Sequence, residues 1–183
     1  MICKPTSLQD LLLLCPKVHA DDRGHFFESF NAQVFEALTG LKPDFVQTNE
    51  SLSHRGVLRG LHWQAAPAAQ GKLVRVVQGC VFDVAVDVRP QSATFGKWFG
   101  CQLSHTNHLQ LWIPPGFAHG FLTLSQMAIV SYQVTAYHSP AHERCLQWND
   151  PTLGIDWPLQ EAGVQFPVLS GKDQAGMAWA QLQ

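Results

Sequence analysis

Residues 73–88 read LVRVVQGCVFDVAVDV, and this stretch decides the fold class. Two β-branched apolar runs, residues 73–78 and 81–88, are separated by Gly79 and Cys80, which reads as a hairpin or a tightly bent pair of strands. In the second run Phe82, Val84, Val86 and Val88 fall on one face, with Val81, Asp83, Ala85 and Asp87 on the other.

Outward from this pair the same signal recurs at residues 57–64, 95–103, 108–113, 117–124 and 128–137. Turn residues punctuate it at Arg89-Pro90, Pro114-Pro115-Gly116 and Ser139-Pro140. One clear helical window is predicted, Ala32–Thr39, capped by Asn31 and closed by Gly40. A weaker one follows Ser170. Many short strands with scarcely a helix between them predict an all-β sandwich or barrel. Residues 150–167, with Trp157 among prolines and glycines, read as a loop packed over that barrel.

The 183 residues suit a single domain with an appended arm. Only 14% are charged, against about 25% in an ordinary soluble domain. So thin a charged shell suggests surface hidden in an oligomer. The net charge of -2 offers no overall positive field for nucleic acid or an anionic membrane. The apolar run at residues 11–15 is too short for a membrane span or a signal-peptide core, so a cytoplasmic protein is expected. Five scattered cysteines without CxxC spacing argue against a disulfide framework or thiolate zinc site and read as small core residues.

No GxGxxG, GxxxxGK or GxSxG motif is present, which removes most of the case for nucleotide-dependent hydride or phosphoryl transfer. Polar residues inside apolar strands are the informative ones, because burying them costs free energy unless they are partnered. His62, between Leu61 and Trp63, reads either as a hydrogen-bonded core or rim histidine or as a general base oriented by a carboxylate. His119, after the Pro-Pro-Gly turn, has the same two readings. Tyr132 shares a face with Val130 and Val134, so it is a barrel filler or, as a buried phenol, a proton donor. A metal-binding barrel commonly supplies an HxH pair, and Gly-Leu-His-Trp-Gln supplies one histidine, so no metal site is expected. Arg23, Arg59 and Lys72, each beside a glycine, suit a diphosphate if they converge, and Phe26 or Phe27 suits stacking on a base.

Longer motifs settle the comparison. DDRGHFFESFN (residues 21–31), FVQTNES (45–51), GVLRGLHWQ (56–64), QGKLVRVVQGCVFDVAVDVR (70–89), ATFGKW (93–98), QLWIPPGFAHGFLTLS (110–125), WNDPTLGIDWP (148–158) and LSGKD (169–173) occur in order. In these the chain resembles the dTDP-4-dehydrorhamnose 3,5-epimerase family, enzymes of dTDP-L-rhamnose synthesis. The resemblance implies a cupin-like jelly roll (double-stranded β-helix) with short flanking helices and one domain over residues 1–183. It also implies a homodimer that exchanges its N-terminal segment, and a reaction without metal or organic cofactor. It assigns His62 as base, Asp173 as its paired carboxylate and Tyr132 as proton donor. Lys72 falls near the sugar C4 oxygen, and Phe26 near the thymine. Arg23, Glu28, Gln47, Asn49, Arg59, His119, Glu143 and Lys172 fall on substrate-contacting positions.

The chain departs from the family pattern at Thr48 and Glu50, where Asp and His are common, and at His138, where an aromatic is common. Two rival readings are an epimerase acting at C3 or C5 alone on another dTDP-4-keto sugar, and a non-catalytic cupin-like binding protein. The His62, Tyr132 and Asp173 set argues against the second, and Asp83 is the next candidate base. Arg59 and His62 have opposite parity on a flat strand, so for both to face inward the strand must distort at Gly60.

Overall fold

The computed structural model describes residues 1–182, and strands dominate it. In chain order they are β1 (Ile2–Pro5), β2 (Leu12–Cys15), β3 (Val18–Asp21), β4 (Gly24–Phe27), β5 (Gln47–His54), β6 (Leu58–Gln64) and β7 (Lys72–Gln78). There follow β8 (Cys80–Asp87), β9 (Trp98–Ser104), β10 (Gln110–Ile113), β11 (Phe117–Thr123), β12 (Met127–Val134) and β13 (Glu143–Cys145). Two sheets carry the fold, a six-stranded one in the order β1-β2-β10-β7-β12-β5 and a five-stranded one in the order β13-β6-β11-β8-β9. Strands β3 and β4 form a separate two-stranded hairpin. This is the expected all-β, cupin-like jelly roll.

Period-two alternation sorts the side chains into three cores. Val74, Val76, Leu111, Ile113, Ala128 and Val130 from the larger sheet meet Val81, Ala85, Leu103, Phe117 and Phe121 from the smaller one, filling the space between the sheets. Val84, Val86 and Val88 point the other way, where Leu153, Trp157, Ala162 and Trp179 cover them. The 150–167 segment is thus a packed cover, pinned where Asp150 Oδ2 accepts from the Trp179 N–H at 2.8 Å and Trp157 Nε1 donates to the Trp148 carbonyl at 2.8 Å. On the outer face of the larger sheet the helix α1 (Ala32–Thr39) sets Phe35 edge-on to Trp112, with ring centroids 5.5 Å apart. Asn31 Oδ1 accepts from the N–H groups of Gln33 and Val34, and Gly40 closes the helix at φ 71°, as its sequence predicts.

The hairpin reading of residues 73–88 is corrected. Strands β7 and β8 do not pair; β7 lies between β10 and β12, and β8 between β11 and β9. Gly79 turns the chain from one sheet into the other at φ 82°, where a Cβ would stand 2.1 Å from the Met127 carbonyl oxygen. The cysteines are free and only partly buried; Cys3, Cys80 and Cys101 pack against the edges of the three cores.

Candidate active site

Gly60 determines which side chains of β6 face inward. It lies at φ 123°, and the β6–β11 register shifts between His119 and Phe121. A Cβ at Gly60 would come within 2.5 Å of Gly120 Cα and 2.7 Å of the His119 carbonyl oxygen. The distortion expected from parity is therefore present, and Arg59 and His62 both line the same cavity of about 310 Å3 between the sheets.

The inner wall brings together Arg59, His62, Lys72, His119, Tyr132, Glu143, Lys172 and Asp173. His62 and Tyr132 come from opposite sheets, on β6 and β12. His62 Nε2 lies 2.7 Å from Asp173 Oδ1, with the ring N–H off the line of a straight hydrogen bond. The short helix α2 (Gly171–Gln174) presents that carboxylate. Its Oδ2 accepts from Ser170 Oγ at 2.6 Å and its Oδ1 from the Gly60 N–H at 3.1 Å. Burial pushes the Asp173 carboxyl up, but the contacts from His62, Ser170 and Gly60 outweigh it and hold the group at about 2. Asp173 is thus an ionised partner for His62 across the neutral pH range.

Lys72 is buried on β7 and reaches across the sheets to donate from Nζ to the His62 carbonyl oxygen at 3.0 Å. Burial lowers its ammonium to about 8 against the opposing pull of Asp83 and Glu143. A second histidine–carboxylate pair lies deeper: His119 Nε2 is 2.9 Å from Asp83 Oδ2, both buried. A carboxylate only accepts, so Nε2 carries the proton. Burial holds His119 below its ordinary value despite Asp83. Burial also pushes the Tyr132 phenol up, against Arg59 and Asn49, so it keeps its proton. At the mouth, Glu143 pairs with Lys172 and lies 3.5 Å from His138 Nε2.

Five expected residues do not line this cavity. Gln47 and Asn49 lie beyond the cavity's edge on β5, the strand next to β12 in the same sheet, where Gln47 Nε2 donates to Asn49 Oδ1 at 2.7 Å and Asn49, the register partner of Tyr132, shares its face. Arg23 and Phe26 project on the β3–β4 hairpin, with Arg23 paired to Asp21 and Phe26 72% exposed. Glu28 just beyond accepts from Asn31 Nδ2. Ser170 and Gln64 line the cavity without having been singled out in the sequence, and Cys145 lies beside His62 outside that lining. Ser170 was legible as the N-cap of LSGKD, but Cys145 lies opposite His62 only through the β6–β13 register.

Fold and site define a cupin-like barrel whose polar groups can remove a proton on one side of a bound ring and deliver one on the other. Residues 5–181 match the family model for dTDP-4-dehydrorhamnose 3,5-epimerase. The dTDP-4-dehydrorhamnose 3,5-epimerase of Salmonella typhimurium is 55% identical over 96% of this chain and 93% of its own. The crystal structure of the Legionella pneumophila dTDP-6-deoxy-D-glucose-3,5-epimerase, in complex with dTDP-4-keto-L-rhamnose, superposes at a TM-score of 0.91 with 47% identity over 98% of this chain and 95% of that one. A 3'-monoepimerase from Streptomyces bikiniensis in complex with dTDP-quinovose aligns at 0.89 and 33% identity, covering 96% and 87% of the two chains. The chain belongs to the dTDP-4-dehydrorhamnose 3,5-epimerase family.

Proposed function

We propose that this chain epimerises dTDP-4-dehydro-6-deoxy-D-glucose at C3 and C5 to give dTDP-4-dehydro-L-rhamnose, in dTDP-L-rhamnose synthesis. The observation that carries the reading is the placement of His62 and Tyr132 on opposite walls of one cavity. Both C–H groups lie alpha to the C4 ketone, so His62 takes a proton from one of them and the electron pair moves into the carbonyl to form an enolate. The Lys72 ammonium is the cation for that oxygen, and a fixed donor in a water-poor site is typically worth several kcal/mol. Tyr132 then delivers a proton to the opposite face, and the ketone re-forms with inverted configuration. Asp173 orients His62 and balances the imidazolium. Arg59, His119, Glu143 and Lys172 contact the substrate around the ring and diphosphate.

Arg23, Phe26 and Glu28 serve the site of a partner subunit in a homodimer, with Phe26 against the thymine. Their position on an exposed hairpin outside their own chain's cavity supports this. Gln47 and Asn49 act from the edge of the cavity, Asn49 through its neighbour Tyr132. We read the enzyme as cytoplasmic, in keeping with the fact that, among the described residues, no helix is long and apolar enough to cross a membrane. The test is incubation with dTDP-4-keto-6-deoxyglucose in deuterium oxide, followed by NMR. Deuterium at both C3 and C5 with an L-configured product supports the assignment, and deuterium at one carbon makes the chain a single-position epimerase.

A further inference from the structure

Cys145 has no part in the proposed epimerisation, yet it is the register partner of His62 on the β6–β13 ladder. Among the described residues, one nitrogen of His62, the sulfur of Cys145 and one carboxylate oxygen of Asp173 form a group in which all three atoms lie within 4.8 Å of one another. The thiol is free, and His62 Nε2 makes no straight hydrogen bond. We propose that His62, Cys145 and Asp173 form an inhibitory binding site for a thiophilic divalent ion of the zinc class.

The donor chemistry selects this class. One imidazole, one thiolate and one carboxylate make the mixed N, S and O set of three-ligand zinc sites, which leave a fourth position for water. Zn–S bonds of about 2.3 Å and Zn–N or Zn–O bonds of about 2.0–2.1 Å place tetrahedral ligands about 3.5 Å apart. Reaching that spacing from a group within 4.8 Å, with His62 Nε2 and Asp173 Oδ1 opening from 2.7 Å, takes side-chain rotation without a change of strand register. Ser170 Oγ and the Gly60 N–H already hold the carboxylate. Such outer-shell bonds fix ligand orientation, and losing one typically costs about 10–100-fold in metal affinity. On binding, the thiol gives its proton to solvent, the imidazole shifts its proton from Nε2 to Nδ1 through solvent, and the sulfur and Nε2 lone pairs go to the metal.

The ion then takes the imidazole nitrogen that faces Asp173 and leaves the ring proton on Nδ1, so His62 can no longer accept a proton from substrate and its orienting carboxylate is tied up as well. This inhibitory consequence rests on His62 being the base; the site itself does not.

Metal-free enzyme is titrated with Zn2+ by calorimetry and with Co2+ by absorbance, for the wild type and for Cys145→Ala and Cys145→Ser. The wild type is expected to bind one ion per chain, to show a near-ultraviolet thiolate-to-cobalt band, and to lose turnover in competition with substrate. Cys145→Ala is expected to keep its basal turnover, lose the cobalt band and bind zinc about a hundredfold more weakly, with Cys145→Ser intermediate. Equal zinc affinity in wild type and Cys145→Ala, or no stoichiometric binding by the wild type, overturns the proposal. A wild type that shows the band and binds one zinc but turns over at its full rate upholds the metal site and removes His62 from the role of base.

Discussion

Asp173 Oδ1 lies 2.7 Å from His62 Nε2 while the same oxygen accepts the N–H of Gly60, the residue whose distortion turns His62 inward. One carboxylate therefore ties the orientation of the proposed base to the shape of the strand that carries it.

Asp173→Asn keeps the shape and removes the charge. Turnover is expected to fall by about 10–100-fold with little change in KM, because the orienting partner acts on the proton transfer and not on substrate binding. Stability should fall as well. A carboxyl held at about 2 contributes stability above its unfolded value of about 3.9, on the order of 2 kcal/mol, and loses it as pH falls through about 2. Wild type and variant should therefore differ in urea midpoint at pH 7 and converge near pH 2.

Lys72 titrates in the opposite sense. Its folded value of about 8 lies below the unfolded one, so the unfolded chain holds more protons between about pH 8 and 10 and stability rises through that window. In the proposed mechanism the charged form stabilises the enolate, so kcat should fall above about pH 8 while stability climbs. Lys72→Met should lose at least about a hundredfold in kcat and gain about 1–3 kcal/mol at pH 7 by removing a buried charge. Thermal melts across pH 7–10 check both.

Gly60→Ala adds a Cβ 2.5 Å from Gly120 Cα at a φ of 123°. Backbone strain and collision with fixed main chain should cost about 3 kcal/mol or more, with loss of activity in whatever fraction folds. Urea unfolding against wild type measures it.

Parity foretold this bend, since Arg59 and His62 cannot share a face of a flat strand, and Ala32–Thr39 was legible because Asn31 and Gly40 mark both its ends. Strand β5 was not legible: QTNESLSH has no apolar alternation, because its inward face (Gln47, Asn49, Ser51 and Ser53) is itself polar and its place at the sheet edge comes from pairing with β12. The hairpin at Gly79 was misread for a related reason. Local sequence shows a sharp turn there, but only packing decides that the two strands enter different sheets. The His119–Asp83 pair and the approach of Cys145 to His62 likewise depend on registers between distant strands.

The proposed composite sites make a mixing experiment decisive for the proposed dimer. Chains carrying His62→Ala and chains carrying Arg23→Ala with Phe26→Ala should each be nearly inactive. Unfolded and refolded together, half the dimers are mixed and one of their two sites is intact, which should restore about a quarter of wild-type activity. No recovery in the mixture would mean that Arg23 and Phe26 do not serve a neighbouring site. Removing residues 1–31 would not be a clean test, because β2 is an internal strand of the larger sheet and Leu8, Leu11 and Leu14 are buried.

The most direct test of a single base facing a separate acid is deuterium wash-in at C3 and C5, followed by NMR for His62→Ala and Tyr132→Phe beside wild type. His62→Ala should show no exchange at either carbon while binding dTDP with near wild-type affinity. Tyr132→Phe should still exchange but yield little inverted product. Wild-type exchange at either carbon in His62→Ala would contradict the assignment and direct the search to a second base, with Asp83 behind His119 the first to replace.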